Sequence, residues 1–422
     1  MTKAGKRTVG PNRSQQRLMA IDLDRMVGQD DPVRAVWSFV ERLDLSAFYE
    51  QIRAVEGERG RSAIDPKILM ALWLFASIEG LSSAREIARL CETDWRYQWI
   101  CGGIKPGYHT LSDFRSMSGE KFDQLLTNTV AVLMHKELVT LDRVAQDGMK
   151  VRASAGAGSF HTKATLEECQ KAASEHLKDL QKETESDQAA GTRRRDAARL
   201  RAAAEREKRI KEALEEMPEI EERKKANNGN SKSEPRSSTT DPDARVMKMA
   251  DGGFRPALNV HFVTDTVSKV VAAVEVNNHG TDFRMTIPLA DQIHDRYGKQ
   301  PVEWLQDGGC VTLAGIDALA EHGTDVIAPL RAARGPDSVP TDPRPSDSKA
   351  VAAWRSRMKT DYAKTAYKER GATAELANAH ARAHGLSQFP VRGIIRARAV
   401  ALLLAIAHNM RREWALSQWV LT

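Results

Sequence analysis

Two aspartates that each precede a glycine are the residues of this 422-residue chain best suited to chemistry. Asp147 and Asp307 each follow a short run typical of a β-strand, and a third acid, Glu375, lies in a later stretch with a helical pattern. Carboxylates at strand ends are open to water, metal ions and phosphate, whereas a carboxylate buried within a sheet carries a high desolvation cost. Three such acids can hold two divalent ions for in-line attack on a phosphodiester. The pattern therefore favours cleavage and transfer of nucleic-acid strands.

Other acids compete for these places. An Asp-Gly pair alone is weak evidence because it is common in turns, so the weight comes from two such pairs followed by a helical acid. Asp265 also follows a strand-like run, but the pair Asp265-Thr266 is typical of a hairpin turn. Asp282 has the position of a cap for the helix that follows it. Glu369 precedes Glu375 by six residues, a spacing that does not bring the two onto one helix face.

The charge of the chain is moderately basic, with a formal net charge of +6 and an isoelectric point near 9.0. Its basic residues are clustered, which is typical of phosphate binding but also of solvated helix faces. The clusters are 193–195, 206–211 and the group Arg392, Arg396, Arg398, Arg411 and Arg412.

The four cysteines show neither a CxxC pair nor regular spacing. A zinc site or a disulfide framework is therefore not expected, and a reducing cytoplasm fits. The basic N-terminus lacks the apolar core of a secretory signal, and the longest apolar stretch, 400–408, is too short to span a bilayer. These features predict a soluble intracellular protein.

The first third of the chain has a helical pattern. Residues 1–17 are basic and polar and predict a disordered tail, whereas 18–138 repeat apolar residues at helical spacing. Three helices with a glycine-containing turn predict an all-α domain like a helix-turn-helix, whose last helix enters the major groove. The alternative is a bundle that only packs on its neighbours. Candidate DNA contacts on the last helix are Tyr108, His109, Ser112 and Arg115.

A mixed α/β pattern follows. Strands are predicted over 141–151, 254–264, 269–276 and 325–329 and before Asp307, and helices over 281–297, 313–322 and around Glu375. The resulting order of three strands, helix, strand, helix, strand and helix is that of a ribonuclease H-like sheet. The catalytic domain is thus predicted to comprise 139–162 and 243–422.

Residues 163–242 interrupt that order. Apolar residues at coiled-coil spacing run through both halves, with a break at 186–192, and so predict an antiparallel helical hairpin. Residues 227–242 are polar and predict a flexible return loop. Two interpretations stay open for this insertion, DNA or partner contact through 193–195 and Arg199, or a solvated hairpin without a catalytic role.

The residues around the three acids also resemble the motifs of a known family. The set Tyr367, Arg370, Glu375 and Arg382 resembles the tyrosine–arginine–glutamate–basic signature of DDE transposases from bacterial insertion sequences. The segments around Asp147 and Asp307 resemble the first and second acidic motifs of the same family, and the resemblance extends from about residue 18 to residue 412. Two departures stand out. Four residues rather than three separate Arg370 from Glu375, and Arg382 replaces a lysine.

The resemblance implies that Asp147, Asp307 and Glu375 bind two Mg²⁺ or Mn²⁺ ions and catalyse DNA cleavage and strand transfer. It implies that Tyr367, Arg370 and Arg382 contact DNA, and that Glu369 replaces Glu375 if the register is shifted. Element ends and target DNA are the expected partners, with a homodimer assembled on DNA near the bacterial nucleoid. The alternatives are a hydrolytic DNA nuclease and a catalytically inactive DNA-binding regulator.

Overall fold

A computed structural model describes residues 22–54, 62–186, 193–227, 234–330 and 342–419. The helices in chain order are α1 Leu23–Met26, α2 Pro32–Glu41, α3 Ser46–Tyr49, α4 Pro66–Ile78, α5 Ala84–Thr93, α6 Trp95–Cys101, α7 Tyr108–Met117, α8 Gly119–His135, α9 Lys163–Ser186, α10 Arg193–Glu215, α11 Met217–Asn227, α12 Thr286–Tyr297, α13 Leu313–Glu321, α14 Lys349–Arg357, α15 Asp361–Ala383 and α16 Ile394–Trp419. The strands are β1 Arg143–Arg152, β2 Phe160–His161, β3 Ser237–Ser238, β4 Arg245–Lys248, β5 Phe254–Asp265, β6 Val271–Asn277, β7 Glu303–Leu305 and β8 Asp325–Ile327. The predicted tail, 1–17, lies outside the described residues.

The N-terminal region is helical, as predicted, and is built around α4. Asp65 caps this helix through Lys67 N, with proline at the first helical position, and nearly every residue after it is buried. Between α5 and α7 the chain forms an additional helix, α6, which the sequence interpretation missed. Asp94 caps its start, and Gly102 ends it in the left-handed conformation that favours glycine.

A mixed sheet forms the centre of the second region. Its strand order is β4-β5-β1-β7-β8, and β6 also pairs with β5. Strand β5 is antiparallel to β1, β4 and β6, whereas β1, β7 and β8 are parallel to one another. The predicted strands and their order are therefore present, with boundaries shifted by a few residues.

Helices cover both faces of this sheet. Helix α15 packs on β1 and β5, where alanines of the helix meet Ala145, Leu305 and Ile327 in a small apolar cluster. Helices α8, α12 and α16 contact β6 on the other face. The large core continues from there into the N-terminal helices, because α16 also packs on α4, α7 and α8. No helix in the described part of the chain has the length and apolarity needed to cross a membrane.

Two competing acids have clear structural positions. Asp265 lies in the hairpin turn between β5 and β6, as predicted, and its carboxylate accepts hydrogen bonds from Ser268 N and Oγ, both at 2.7 Å. Asp282 does not cap the following helix. That helix begins at Thr286 rather than at residue 281, with Met285 at the N-cap position and no capping side chain.

The insertion contains the predicted helix pair and more. Helices α9 and α10 pack on each other, and Leu166, Ala213 and Met217 form a small core separate from the sheet. Helix α11 and the paired strands β2 and β3 were not predicted. Residues 187–192 of the predicted break at 186–192, and residues 228–233 of the return loop, lie outside the described residues.

The end of the return loop is not free, which corrects the prediction for it. Asp241 is fully buried, and its Oδ1 accepts a hydrogen bond from Gly393 N at 3.2 Å. Asp243 Oδ2 accepts from Ile394 N at 2.8 Å, at the start of α16. These two carboxylates attach the end of the insertion to the last helix, where backbone N–H groups need acceptors.

Candidate active site

Asp147 lies within β1 rather than at its end, which corrects the sequence interpretation. Strand β1 continues to Arg152 because it pairs with β5 along its length, with Asp147 opposite Phe262. On its other side β1 pairs with β7 only over Arg143–Ala145. Asp147 is therefore inside the sheet with respect to β5, but beyond the last residue that pairs with β7.

Asp307 lies at the same level as Asp147. Ala145 pairs with Leu305, so each aspartate follows the last parallel pair by two residues. Asp307 is thus at a strand end, as predicted. The glycine after it is required by packing, since a Cβ atom at position 308 would lie only 2.8 Å from Pro329 O. The parallel register brings the two predicted acids to the same end of the parallel pair formed by β1 and β7.

Helix α15 supplies two partners to Asp147. Arg370 Nη2 donates to Asp147 Oδ1 at 2.7 Å, and Asn378 Nδ2 donates to Asp147 Oδ2 at 2.7 Å. Arg370 and Asn378 are two turns apart and therefore lie on the same helix face. Both oxygens of the carboxylate are engaged, so any ligand that binds Asp147 competes with these donors.

The electrostatic environment connects these residues. Burial raises the pKa of the Asp147 carboxyl, the charges of Asp282 and Asp307 raise it further, and Arg370 lowers it. Burial also raises the pKa of the Cys310 thiol to about 12, with the same three carboxylates adding to the effect. Asp147, Asp282, Asp307 and Cys310 thus share one acidic environment in which Arg370 provides positive charge.

Two predicted DNA contacts on α15 differ in how exposed they are. Tyr367 is half-buried against the apolar cluster under the helix, and burial raises the pKa of its hydroxyl. Arg382 is exposed in the last turn of the helix.

The two candidates for the third acid are placed differently. Glu375 is exposed on α15, and its Oε1 lies near Gly371, one turn earlier. Glu369 instead accepts from Arg143 Nη1 at 2.8 Å, at the start of β1, where Arg143 also binds Glu303. Glu369 thus has a structural partner away from Asp147, whereas Glu375 lies between Arg370 and Asn378 in sequence, on the segment that crosses the site.

The fit of these side chains to a divalent ion follows from their chemistry. Carboxylate oxygens are the donors that Mg²⁺ and Mn²⁺ prefer, and Asp147 and Asp307 supply such oxygens at the same level of the sheet. Among the described residues, no three His, Cys, Asp or Glu side chains are close enough together to hold a metal ion. The carboxylate oxygens are therefore of the type that such an ion prefers, but Arg370 binds Asp147 Oδ1 and would compete with the ion for it.

The predicted DNA contacts of the N-terminal region need one correction. Arg115 is buried, donates to Ser82 O at 2.5 Å and lies over the Trp73 ring at 4.2 Å, so its role is packing. Tyr108 and His109 are exposed at the start of α7, and Ser112 is partly buried.

Comparison with known protein families matches two parts of the chain. Residues 21–117 match a family described as a transposase domain (DUF772), and residues 336–414 match a transposase DDE domain. The first match spans α1 to α7, and the second contains Tyr367, Arg370, Glu375 and Arg382. No curated protein matches the chain, and no solved structure does.

Both matches are to domains of enzymes that act on DNA, and the second is to the DDE type. The protein is a transposase.

Three residues of the site were not found in the sequence. Asn378 and Cys310 carry no motif that distinguishes them, and Asp282 was interpreted as a helix cap. The spacing of Arg370 and Asn378 at two helical turns was the one available signal for Asn378.

Proposed function

We propose that the protein catalyses metal-dependent DNA cleavage and strand transfer at the ends of an insertion sequence. Asp147, Asp307 and Glu375 are the proposed catalytic acids. The observation that carries the proposal is the register of β1 with β7, which brings Asp147 and Asp307 to one level at the edge of the sheet. The tyrosine–arginine–glutamate branch of the family is part of the proposal, on the resemblance of residues 367–382.

A ribonuclease H-like core is part of the same proposal. Strands β1, β5 and β6 form an antiparallel arrangement, and β7 and β8 add in parallel on the other side of β1. Helix α12 follows β6, α13 follows β7, and α14 and then α15 follow β8. This order supports the proposed core, with the insertion between its first two strands.

The three acids are proposed to hold two Mg²⁺ or Mn²⁺ ions. When bound, such ions activate water or a DNA 3′-hydroxyl and stabilise the leaving oxygen. Asp147 and Asp307 are fixed by the sheet, and Glu375 belongs to α15, the helix whose Arg370 and Asn378 bind Asp147. Because Arg370 binds Asp147 Oδ1, we propose that Arg370 leaves this carboxylate and binds a DNA phosphate when substrate arrives.

Other DNA contacts follow from exposure and charge. Arg382, exposed on α15, is proposed to bind the DNA backbone, and Tyr367 to position a phosphate or base from its half-buried place. The N-terminal helices are proposed to recognise the element ends. A homodimer on DNA, in the cytoplasm at the nucleoid, fits chemistry that must join two ends.

The test is cleavage of DNA that carries the inverted repeats flanking the gene. Asp147→Asn, Asp307→Asn and Glu375→Gln should each lower the cleavage rate on the order of a hundredfold or more, because an amide lacks the charge that holds a cation. Binding of the same DNA, measured by gel shift, should change little. Asp295→Asn, which removes an exposed charge from α12, is the matched control. Near-normal cutting by one of the three variants would remove that acid from the site.

A further inference from the structure

A second polar group lies behind Asp147, on the opposite face of β1. Successive residues of a strand face opposite sides, so Gly148 faces away from α15. The space that a Cβ atom would fill at position 148 is taken by Asp282 Oδ1. Glycine at this position therefore lets the Asp282 carboxylate contact the strand backbone next to Asp147.

Asp282 is held there by β5. Asn259 Nδ2 donates to Asp282 Oδ1 at 2.7 Å. His261, which pairs with Gly148 across the strands, has its Nε2 3.8 Å from the same oxygen. Asp282 and His261 thus converge on the backbone of Gly148, and Asn259 holds Asp282.

This arrangement is costly in terms of hydrogen bonding. His261 and Asn259 are fully buried, and neither ring nitrogen of His261, nor Asn259 Oδ1, has a partner among the described residues. Buried polar atoms without partners destabilise a fold, and apolar side chains of similar size would avoid that cost. A role beyond packing explains why polar side chains surround Asp282.

The charge of Asp282 reaches the proposed site. Its carboxylate lies against Gly148, one residue from Asp147 along β1. Asp282 is 30% exposed, and within the described part of the chain its ion-pair partner is the buried His261, at 3.8 Å. Its negative charge therefore adds to that of the two proposed catalytic aspartates.

We propose that Asp282 is a positioning residue of the DNA-cleavage site. Held by Asn259 and packed beside the buried ring of His261, it fixes the β1 backbone at Gly148 and adds a further negative charge behind Asp147 and Asp307, so that the divalent ion binds more tightly. This inference rests on the proposed function of those two aspartates.

The experiment measures Mn²⁺ binding to the full chain without DNA, from the electron paramagnetic resonance signal of free Mn²⁺. Asp282→Asn keeps an oxygen that can accept from Asn259 but removes the charge. We expect its affinity for Mn²⁺ to fall about tenfold, because one charge near the ion is lost. Asp295→Asn, the same change at an exposed site, should bind like the wild type. The melting temperature in EDTA reports whether each variant is folded.

A second variant separates position from charge. Asn259→Ala removes the donor that holds Asp282 and leaves every charge in place, so a positioning role predicts weaker Mn²⁺ binding here too. If Asp282→Asn is unfolded in EDTA, Asn259→Ala alone tests whether the position of Asp282 affects Mn²⁺ binding. Wild-type affinity in folded Asp282→Asn or in Asn259→Ala, with affinity lost in Asp147→Asn, would overturn the inference and leave the proposed function intact. Wild-type affinity in Asp147→Asn as well would instead count against the proposed metal site.

Discussion

Asp147 shows how a charged residue is accommodated inside a sheet. Its carboxylate is 20% exposed and has one oxygen on Arg370 and the other on Asn378. Removing a buried charge's partner is costly because the remaining charge stays unpaired. Arg370 therefore stabilises Asp147, and the proposed metal binding requires this arginine, whose side chain is suited to phosphate, to move.

The identity of the third acid is the first prediction. Glu375→Gln should abolish DNA cleavage, whereas Glu369→Gln should retain it, because Glu369 binds Arg143 at the start of β1. Glu369 is 44% exposed, so its loss should reduce the free energy of unfolding by less than about 1 kcal/mol. Cleavage assays with denaturant titrations check both effects. Active Glu375→Gln with inactive Glu369→Gln would show that the register of the third acid is shifted.

For the candidate site, the sequence indicated which residue types could act there but said less about their surroundings. Asp147 and Asp307 could be proposed as catalytic acids because an acidic motif beside a strand-like run is local information. The position of Asp147 within β1 could not, since it depends on how far the distant β5 pairs with the strand. Asn378 and Asp282 reach the site through tertiary contacts that no local pattern records.

The insertion is the element whose independence can be tested. Leu166, Ala213 and Met217 form its own small core, whereas β2 and β3 and the buried Asp241 attach it to the rest of the chain. A deletion that preserves the fold should therefore keep the two strands and Asp241.

The second prediction follows from these attachments. Replacing 164–233 with a short glycine-serine linker should leave a soluble protein whose melting temperature stays within a few degrees of the wild type. Extending the replacement through residue 242 should lower that temperature further, since it removes β3 and the Asp241 contact with Gly393. Calorimetry of both deletions checks this. Aggregation of the shorter deletion would mean that the helices of the insertion stabilise the sheet.

DNA cleavage by the shorter deletion then tells whether 193–195 and Arg199 contact substrate.

Element prediction succeeded where the signals were local. The turn at Asp265 was identified from residue type and position after a strand-like run. Helix α6, the strand pair β2–β3 and the anchored end of the return loop were missed. The two-residue strands are too short to show periodicity, and their pairing is fixed by contacts with residues distant in sequence.

In the whole molecule, the last helix connects the two halves. Helix α16 runs alongside α8 from the Asp123–Arg398 pair, at 3.1 Å, to the Lys136–Glu413 pair, at 3.6 Å. Between these ends its apolar residues join the core that contains α4 and the sheet. The helical region 18–138, proposed as a DNA-binding domain, therefore shares its core with the C-terminal helix.

The third prediction concerns this shared core. A fragment of residues 18–138 should unfold without a sharp cooperative transition, because removing α16 exposes the apolar faces of α4 and α8. Joining the fragment to 390–422 through a flexible linker of roughly 25 residues should restore the transition, since such a linker spans the length of the paired helices. Thermal unfolding followed by circular dichroism compares the two. A fragment that melts cooperatively without α16 would show that the N-terminal domain is independent.

The measurement that tests the central claim most directly is strand transfer. Pre-cut element ends with a free 3′-hydroxyl are mixed with a target plasmid, the protein and Mg²⁺, and joined products are counted. The wild type and Asp295→Asn should join the ends to the plasmid, and Asp147→Asn and Asp307→Asn should not, although all four bind the ends. Joining by Asp147→Asn at the wild-type rate would contradict the proposed site, and a wild type that cuts the ends but never joins them would show a hydrolytic nuclease instead.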